Sequence, residues 1–328
     1  MHDIERDIFS QYKLTVKNII PDRNGFILTT NQGKYIFKEN NIHPGRIMFI
    51  HGAKEHLYVN GFKNIDRYLC TIKGEPYIIL QEKCYTLSRY FEGRECDFNN
   101  ENDVKKATNL LASLHAASKG YIPSPESMVK DELGKLPDVF AKRLREMKRM
   151  EKIALKRRGK FDYIYLSYVN YFYELGKEAL DYIFSPIYSK LVEETRKEGS
   201  FCHHDFTYSN IVFSDSEAAV INFEYCCFDL KVYDLANLIR RRMRKCNWDI
   251  EEAKVITDEY RKIERLSPED FYVMKVILQF PQKFWRVANR YYNSRRSWTE
   301  RILIEKLKEA VDEIESHKKF LENYETII

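Results

Sequence analysis

The chain has 328 residues, of which 44% are hydrophobic and 31% are charged. This composition is typical of a folded protein and excludes a disordered one, and the length favours two lobes over one compact unit. No stretch approaches the roughly 18 apolar residues of a membrane helix, and residues 1–13 lack an apolar signal core, so we expect no membrane span and no export. Seven cysteines without a CxxC pair predict free thiols in a reducing compartment, which indicates synthesis in the cytoplasm.

The net charge of +5 is distributed unevenly. Residues 142–160 hold ten lysines and arginines against two glutamates, a local charge of +8. Such a run is either a solvated helix face or a surface for an anionic partner. No nucleic-acid-binding motif accompanies it, so we expect no nucleic-acid partner.

The first 90 residues predict a β-rich region. Three short runs of β-branched and aromatic residues, separated by turn sequences, predict strands at 12–20, 25–30 and 34–39. Residues 48–62 then predict a helix that ends at Gly61. Residues 68–83 predict a hairpin whose turn is the sequence KGEP.

Beyond residue 98 the apolar spacing becomes helical. Helices are predicted at 100–118, 138–158 and 162–198, a hairpin at 211–223, and helices from there to the end of the chain. This order of elements resembles the two-lobed protein-kinase-like fold, of class α+β. It predicts a small nucleotide-binding β-rich lobe at 1–92 and a large helical lobe at 93–328 that carries the catalytic-type loop and the substrate region.

The last predicted helix, 300–323, has apolar positions at alternating spacings of three and four. They are Leu303, Leu307, Ala310, Ile314, His317 and Leu321. Three heptads of this kind can form a coiled-coil dimer, or the helix can dock on its own lobe.

The sequence HHDFTYSN at 203–210, followed by a predicted hairpin and INFEY, has the spacing of a phosphoryl-transfer site. That reaction needs a carboxylate to accept a proton, oxygen ligands for a metal, and a lysine for the phosphates. Asp205 and Asn210 are the candidates in the loop, and the hairpin returns Asn222 beside Asn210. Lys38 ends a predicted strand, and Glu55 in the next helix is expected to pair with it.

These stretches resemble the aminoglycoside phosphotransferase and choline kinase superfamily, and most of all its spore-coat-associated, CotS-like members. GKYIFK, YFEGRECDF, LLASLHAASKGY and FPQKFWRVANRYYNSRRSW carry the closer resemblance over nearly the whole chain. The resemblance implies ATP and Mg²⁺ as cofactors, with Asp205 as catalytic base, Asn210 as metal ligand and Lys38 as phosphate ligand. It further implies that Tyr90, Phe91 and Glu92 hold the adenine through their backbone, and it implies an association with spore coat proteins.

The main departure from the family pattern is Asn222, which stands where the metal-binding Asp would fall. An amide oxygen can touch a metal but lacks the charge, and losing one carboxylate from a partly buried divalent site costs about 4 kcal/mol. Glu224, two residues further on, is the candidate replacement ligand. Two functions therefore stay open: a phosphotransferase, or an inactive kinase-fold binding or structural protein of the spore coat.

The acceptor of such a phosphotransferase is predicted to be small and polar or glycan-like. Its candidate contacts are the aromatic and basic residues of one segment: Trp285, Arg286, Arg290, Tyr291, Tyr292, Arg295, Arg296 and Trp298. The alternative is a core helix, because Phe280, Phe284, Ala288 and Tyr291 fall on one face.

Overall fold

The computed structural model describes residues 8–23, 25–157, 159–214, 217–294 and 299–328. Its largest sheet is antiparallel, with the strand order β1-β2-β3-β5-β4. The strands are β1 (Val16–Asp22), β2 (Gly25–Thr30), β3 (Gly33–Asn40), β4 (Ile78–Leu80) and β5 (Lys83–Arg89). One face of this sheet packs on a cluster that includes Phe9, Tyr12 and Phe37.

The prediction that KGEP joins the two strands of a hairpin at 68–83 is wrong. The hairpin strands are β4 and β5, which are joined through Gln81 and Glu82, and these two residues have positive φ, at 47° and 64°. The KGEP sequence does form a tight turn, in which the Thr71 N–H donates to the Glu75 carbonyl oxygen at 2.8 Å. Because β4 occupies the start of β5, the segment before this turn reaches only the far end of that strand, with Tyr68 bridging to Ser88.

Helix α1 (Pro44–Val59) follows β3 and begins four residues before its predicted start. Its first turn is capped by His43, whose Nδ1 accepts a hydrogen bond from the Gly45 N–H at 3.1 Å. Pro44 fits the first helical position, where its missing N–H would have no partner within the helix.

Two small sheets accompany the five-stranded one. One has the order β6-β8-β9, from β6 (Arg94–Glu95), β8 (Ile211–Phe213) and β9 (Ala218–Val220), and the other pairs β7 (Phe201–Cys202) with β10 (Cys227–Phe228). The predicted hairpin at 211–223 is therefore the β8–β9 pair. Its N-terminal strand follows directly on a 3₁₀ turn at Tyr208–Asn210.

The remaining elements are helices. They are α2 (Glu101–Ser118), α3 (Leu136–Arg157), α4 (Lys160–Ile183), α5 (Pro186–Glu198), α6 (Lys231–Met243), α7 (Ile250–Arg261), α8 (Pro268–Gln279), α9 (Gln282–Asn293), α10 (Glu300–Asp312) and α11 (Ile314–Glu322). The predicted single helix at 162–198 is wrong, because Pro186 cannot continue a helix and starts a new one. The last predicted helix is likewise two, α10 and α11. Among the helices described, none combines the length and apolarity needed to cross a membrane.

The described residues form two compact units. The first contains the chain up to Asp97 with Asn109–Asp131 and Glu198–Phe228, and the second contains the rest. The contacts thus group the catalytic-type loop with the β-rich region, so the units are not simply the segments 1–92 and 93–328. As functional lobes, those two segments stay a prediction.

Helix α10 is docked on its own unit. Leu307 is fully buried, and Leu303 and Ala310 are only 4% and 5% exposed within the single chain. The heptad positions of α10 are therefore covered by the second unit itself, which favours docking over the coiled-coil dimer.

Helix α9 also contributes to the core of the second unit. Phe284 stacks on Phe172 with 4.1 Å between ring centroids, and Tyr291 stacks on Phe161 at 3.9 Å. This is the core-helix alternative for that face of α9. Arg286 lies on another, exposed face. The predicted contacts Arg295, Arg296 and Trp298 lie outside the described residues.

The basic segment 142–160 is partly packed within the second unit. Arg143 donates to Gln282 Oε1 at 2.5 Å, Arg149 donates to Asn293 Oδ1 at 3.0 Å, and Lys148 forms an ion pair with Glu151 at 3.0 Å. Lys152 and Lys156 are exposed. The segment is therefore a mixture of packed and solvated cations.

His317 in α11 gives the second unit a predicted sensitivity to acid. Burial lowers its pKa to about 4, and the positive charges of Arg240 and Arg244 also disfavour the protonated ring. The ring packs on Trp248 at 4.3 Å, and its Nε2 lies 3.1 Å from the Leu278 carbonyl oxygen, so the neutral ring donates there.

Because the pKa of an unfolded histidine is about 6.5, only the unfolded chain gains this proton between pH 6.5 and pH 4. The stability that neutral His317 provides is complete above pH 6.5. It falls by up to about 3 kcal/mol as the pH drops through 4. Urea unfolding at pH 7 and pH 4.5 measures this loss. His317→Gln is expected to lose less stability than the wild type between the two pH values, and an equal loss in both would show that other groups are responsible.

Candidate active site

The loop after β7 is held by His203, which is fully buried. Its Nε2 lies 3.0 Å from the Ile221 carbonyl oxygen, which can only accept, so Nε2 carries the proton. Nδ1 then accepts a hydrogen bond from the Asp205 N–H at 3.2 Å. His203 therefore fixes the loop backbone on both sides and has no free nitrogen for chemistry.

Three of the predicted site residues form one hydrogen-bonded chain. Asn210 donates through Nδ2 to Asp205, to its carbonyl oxygen at 2.8 Å and to its Oδ2 at 2.9 Å. Asn222 donates through its own Nδ2 to Asn210 Oδ1 at 3.3 Å. The Ile221 N–H also donates to the Asn210 carbonyl oxygen at 3.0 Å. The loop and the end of the β8–β9 hairpin therefore lie together, as the sequence spacing predicts.

Asn222 adopts a left-handed backbone conformation, with φ 65° and ψ 65°. Asn and Asp tolerate this region better than most residues. Its N–H donates to Asp66 Oδ2 at 2.9 Å. The position is therefore fixed by its backbone as well as by its side chain.

Lys38 pairs with Glu224 and not with Glu55, so the predicted Lys38–Glu55 pair is wrong. The Lys38 ammonium contacts Glu224 Oε1, and the two side chains are each 31% exposed. Glu55 instead accepts two hydrogen bonds from Arg67, at 2.8 and 2.5 Å, and this pairing raises the pKa of Arg67. The fork of the Arg67 guanidinium matches a carboxylate better than a lysine does, which explains the competition.

A buried ion pair supports the site and was missed by the sequence reasoning. Lys54 is 1% exposed, and its ammonium lies 2.9 Å from Asp66 Oδ1 and 4.0 Å from the centroid of Tyr68. Asp66 in turn holds the Asn222 backbone. One signal was available, because Lys54 shares a helical face with the fully buried Ile47, Ile50 and Leu57, where a lysine needs a partner.

The predicted adenine-binding connector lines a separate cavity of about 1000 Å³ in the first unit. Tyr90, Phe91 and Glu92 contribute to its wall, and Lys34 forms an ion pair with Glu92 at 2.5 Å. Glu55 lines the same cavity, whereas Lys38 and Asp205 do not appear among its described wall residues. The structure thus places the predicted residues in two groups.

The side chains around Asp205 offer oxygen atoms of the kind that binds a magnesium ion. Mg²⁺ prefers one or two carboxylates with further oxygen ligands, and Asn210, Asn222 and Glu224 offer such atoms. However, Asn222 turns its amide nitrogen towards Asn210 Oδ1, and Glu224 is engaged with Lys38. Binding a metal therefore requires the Asn222 amide to rotate and the Glu224 carboxylate to leave Lys38.

The arrangement of the sheets, loop and helices defines a fold class, the kinase-like fold, which solved structures share. An aminoglycoside phosphotransferase structure from Alicyclobacillus acidocaldarius matches with a TM-score of 0.86 at 22% identity, covering 98% of this chain and 95% of that one. A spectinomycin phosphotransferase structure with bound ADP and spectinomycin matches with a TM-score of 0.64 at 12% identity, covering 97% and 98%. These likenesses confirm the predicted α+β kinase-like fold.

Within this class, the chain belongs to the family described as "Spore coat putative kinase YutH", whose model matches residues 5–324. It is also similar to spore coat protein S of Bacillus subtilis (strain 168), at 26% identity over 296 residues, which cover 89% of this chain and 84% of that protein. The predicted resemblance to the spore-coat kinase-like family is confirmed. The predicted likeness to aminoglycoside phosphotransferase and choline kinase structures is confirmed for the fold.

Proposed function

We propose that the protein is an ATP-dependent phosphotransferase that phosphorylates a hydroxyl group of a small polar or glycan-like acceptor. The observation that carries this proposal is the hydrogen-bonded chain from Asp205 through Asn210 to Asn222. These contacts support Asp205 as the proton acceptor and Asn210 and Asn222 as oxygen ligands, and Glu224, two residues beyond Asn222, pairs with Lys38. The ADP bound in the spectinomycin phosphotransferase structure supports ATP as the donor.

In this proposal each side chain has a defined task. Asp205, oriented by the Asn210 amide, takes the proton of the acceptor hydroxyl as its oxygen attacks the γ-phosphorus and ADP leaves. Lys38 exchanges Glu224 for the phosphates, and the backbone of Tyr90–Glu92 holds the adenine. Magnesium, held by Asn210, Asn222 and the released Glu224, would neutralise phosphate charge.

The place of action that we propose is the spore coat, after synthesis in the cytoplasm. The family and the similarity to spore coat protein S support it. Coat proteins are the proposed partners.

A second candidate is a non-catalytic kinase-fold protein that binds or scaffolds in the coat. One observation favours it: the site satisfies its own polar groups. Asn222 donates to Asn210, and Glu224 neutralises Lys38, so neither a metal nor a nucleotide is needed to complete these pairs.

Binding of ATP measured by calorimetry, with Mg²⁺ and with a chelator, tests the nucleotide part of the proposal. Lys38→Met is expected to weaken Mg²⁺–ATP binding about tenfold or more, because a charged hydrogen bond to phosphate is lost. Lys83→Met is the matched control, since Lys83 lies on the same sheet but forms an exposed surface pair with Glu39. Equal affinities of the wild type and Lys38→Met, or no ATP binding by the wild type, would contradict the proposed site.

A further inference from the structure

The second unit contains a strongly basic pocket that includes Arg286 and Arg290, two of the predicted acceptor contacts, together with cations that the sequence analysis did not single out. It has a volume of about 650 Å³ and lies between the end of α6 and helices α9 and α10. Six cationic side chains line it: Arg244, Lys245, Lys283, Arg286, Arg290 and Lys306. Its volume is within the range of small-ligand pockets.

Two of the three acidic residues of this pocket pair with one cation, and the third, Asp312, forms no ion pair with a described residue. Lys283 forms ion pairs with Glu313 at 2.5 Å and with Glu309 at 3.3 Å. Glu313 also accepts a hydrogen bond from Trp248 Nε1 at 3.3 Å. Its Oε2 lies 3.7 Å from Arg244 Nε, too far for a hydrogen bond.

Three of the cations have no close counter-charge, and of these only Arg244 has an ion pair, with Glu313 at 3.7 Å. Nε of Arg244 is buried and has no hydrogen-bond acceptor among the described residues. Arg286 and Lys245 are exposed, and neither has an ion pair with a described carboxylate. Burial is the main cause that lowers the pKa of Arg244 to about 10.

Like charges held together in a partly desolvated pocket repel one another unless an anion neutralises them. Helix α9 presents Lys283, Arg286 and Arg290 at spacings of three and four, so all three point to one side. Guanidinium groups form paired hydrogen bonds with phosphate and carboxylate oxygens.

We propose that this pocket binds a small ligand with two or more neighbouring oxyanion groups through Arg286 and Lys245, beside the positive charge of Arg244. The site consists of residues of the second unit only, whereas Lys38, Asp205 and Asn222 belong to the first. It is therefore a binding site additional to the proposed nucleotide site.

Calorimetric titration of the full chain with pyrophosphate, and separately with citrate, tests the proposal in a chelator at fixed salt. Arg286→Gln/Lys245→Gln is expected to weaken binding of the preferred anion about tenfold or more. The tighter of the two probes identifies phosphate or carboxylate as the recognised chemistry. Lys152→Gln/Lys156→Gln removes the same charge from exposed positions of the basic segment, and should change the affinity by about twofold at most.

Three outcomes would overturn the proposal. The first is that neither pyrophosphate nor citrate binds. The second is an equal loss of anion affinity in both double variants. The third is a loss of anion affinity in Lys38→Met that Arg286→Gln/Lys245→Gln does not share. The last outcome would assign the anion to the proposed nucleotide site, so failure here is distinguishable from failure of that site. Both residues are exposed, and melting curves of the variants check that the fold is kept.

Discussion

Replacing Asp205 by asparagine is expected to lower the rate of phosphoryl transfer by about 10²- to 10⁴-fold, the usual contribution of a general base. The amide keeps the shape of the carboxylate and can still accept the hydrogen bond that Asn210 Nδ2 donates at 2.9 Å. Asparagine cannot, however, take up the acceptor's proton. Until an acceptor is known, release of ADP from Mg²⁺–ATP with water as the acceptor measures the rate.

The same variant separates chemistry from binding. Because Asp205 acts on the acceptor and not on the nucleotide, the affinity for Mg²⁺–ATP should change by no more than about twofold. Glu82→Gln, an exposed change in the β4–β5 turn, controls for the loss of one negative charge. Equal rates in wild type and Asp205→Asn would remove Asp205 from the chemistry and leave the binding or scaffolding function ahead.

The loop of the site could be predicted because its determinants are local. Asp205 and Asn210 are five residues apart, and the short β8–β9 hairpin that follows has few ways to return the chain. The hairpin end therefore had to lie near Asn210, and the Asn222–Asn210 hydrogen bond shows that it does.

The ion pairs could not be predicted, because each is decided by competition over long sequence distances. Glu55 faces both Lys and Arg candidates, and the sequence does not rank them. The guanidinium of Arg67, twelve residues away, takes the carboxylate, and Lys38 takes Glu224, 186 residues away. Helix and strand propensities do not determine which of several distant partners a charged side chain pairs with.

At the β4–β5 hairpin, residue types typical of a turn led to a wrong prediction of the turn that joins the strands. KGEP has the residues of a turn and forms one, but the strand-joining turn uses Gln81 and Glu82 at positive φ. Residues of this kind adopt positive φ only when the surrounding sheet imposes it. The pairing of β5 with both β3 and β4 supplies that constraint, and only the folded sheet contains it.

Asn222 is where the two proposed functions give opposite results. Changing it to aspartate keeps the left-handed backbone, which Asp tolerates, and the N–H bond to Asp66. It replaces the amide that donates to Asn210 by a carboxylate close to Asp66 and Glu224. Without metal the added charge is repelled by these neighbours, so the melting temperature of Asn222→Asp should be lower than that of wild type in a chelator.

With Mg²⁺ the added charge is expected to be favourable, if the site is a phosphotransferase centre that lacks one carboxylate. Mg²⁺–ATP binding to Asn222→Asp should then be stronger by about 4 kcal/mol, or roughly three decades in affinity. Slow ATP hydrolysis should rise too, and Asp205→Asn should abolish that rise. Gln81→Glu is the matched control, because it makes the same amide-to-carboxylate change at an exposed residue that also has positive φ. Mg²⁺ could instead increase the ATP affinity of Asn222→Asp by no more than it increases that of the wild type. In that case the new carboxylate does not bind a metal ion. The site would then be one that has lost its catalytic metal and keeps the kinase fold for binding.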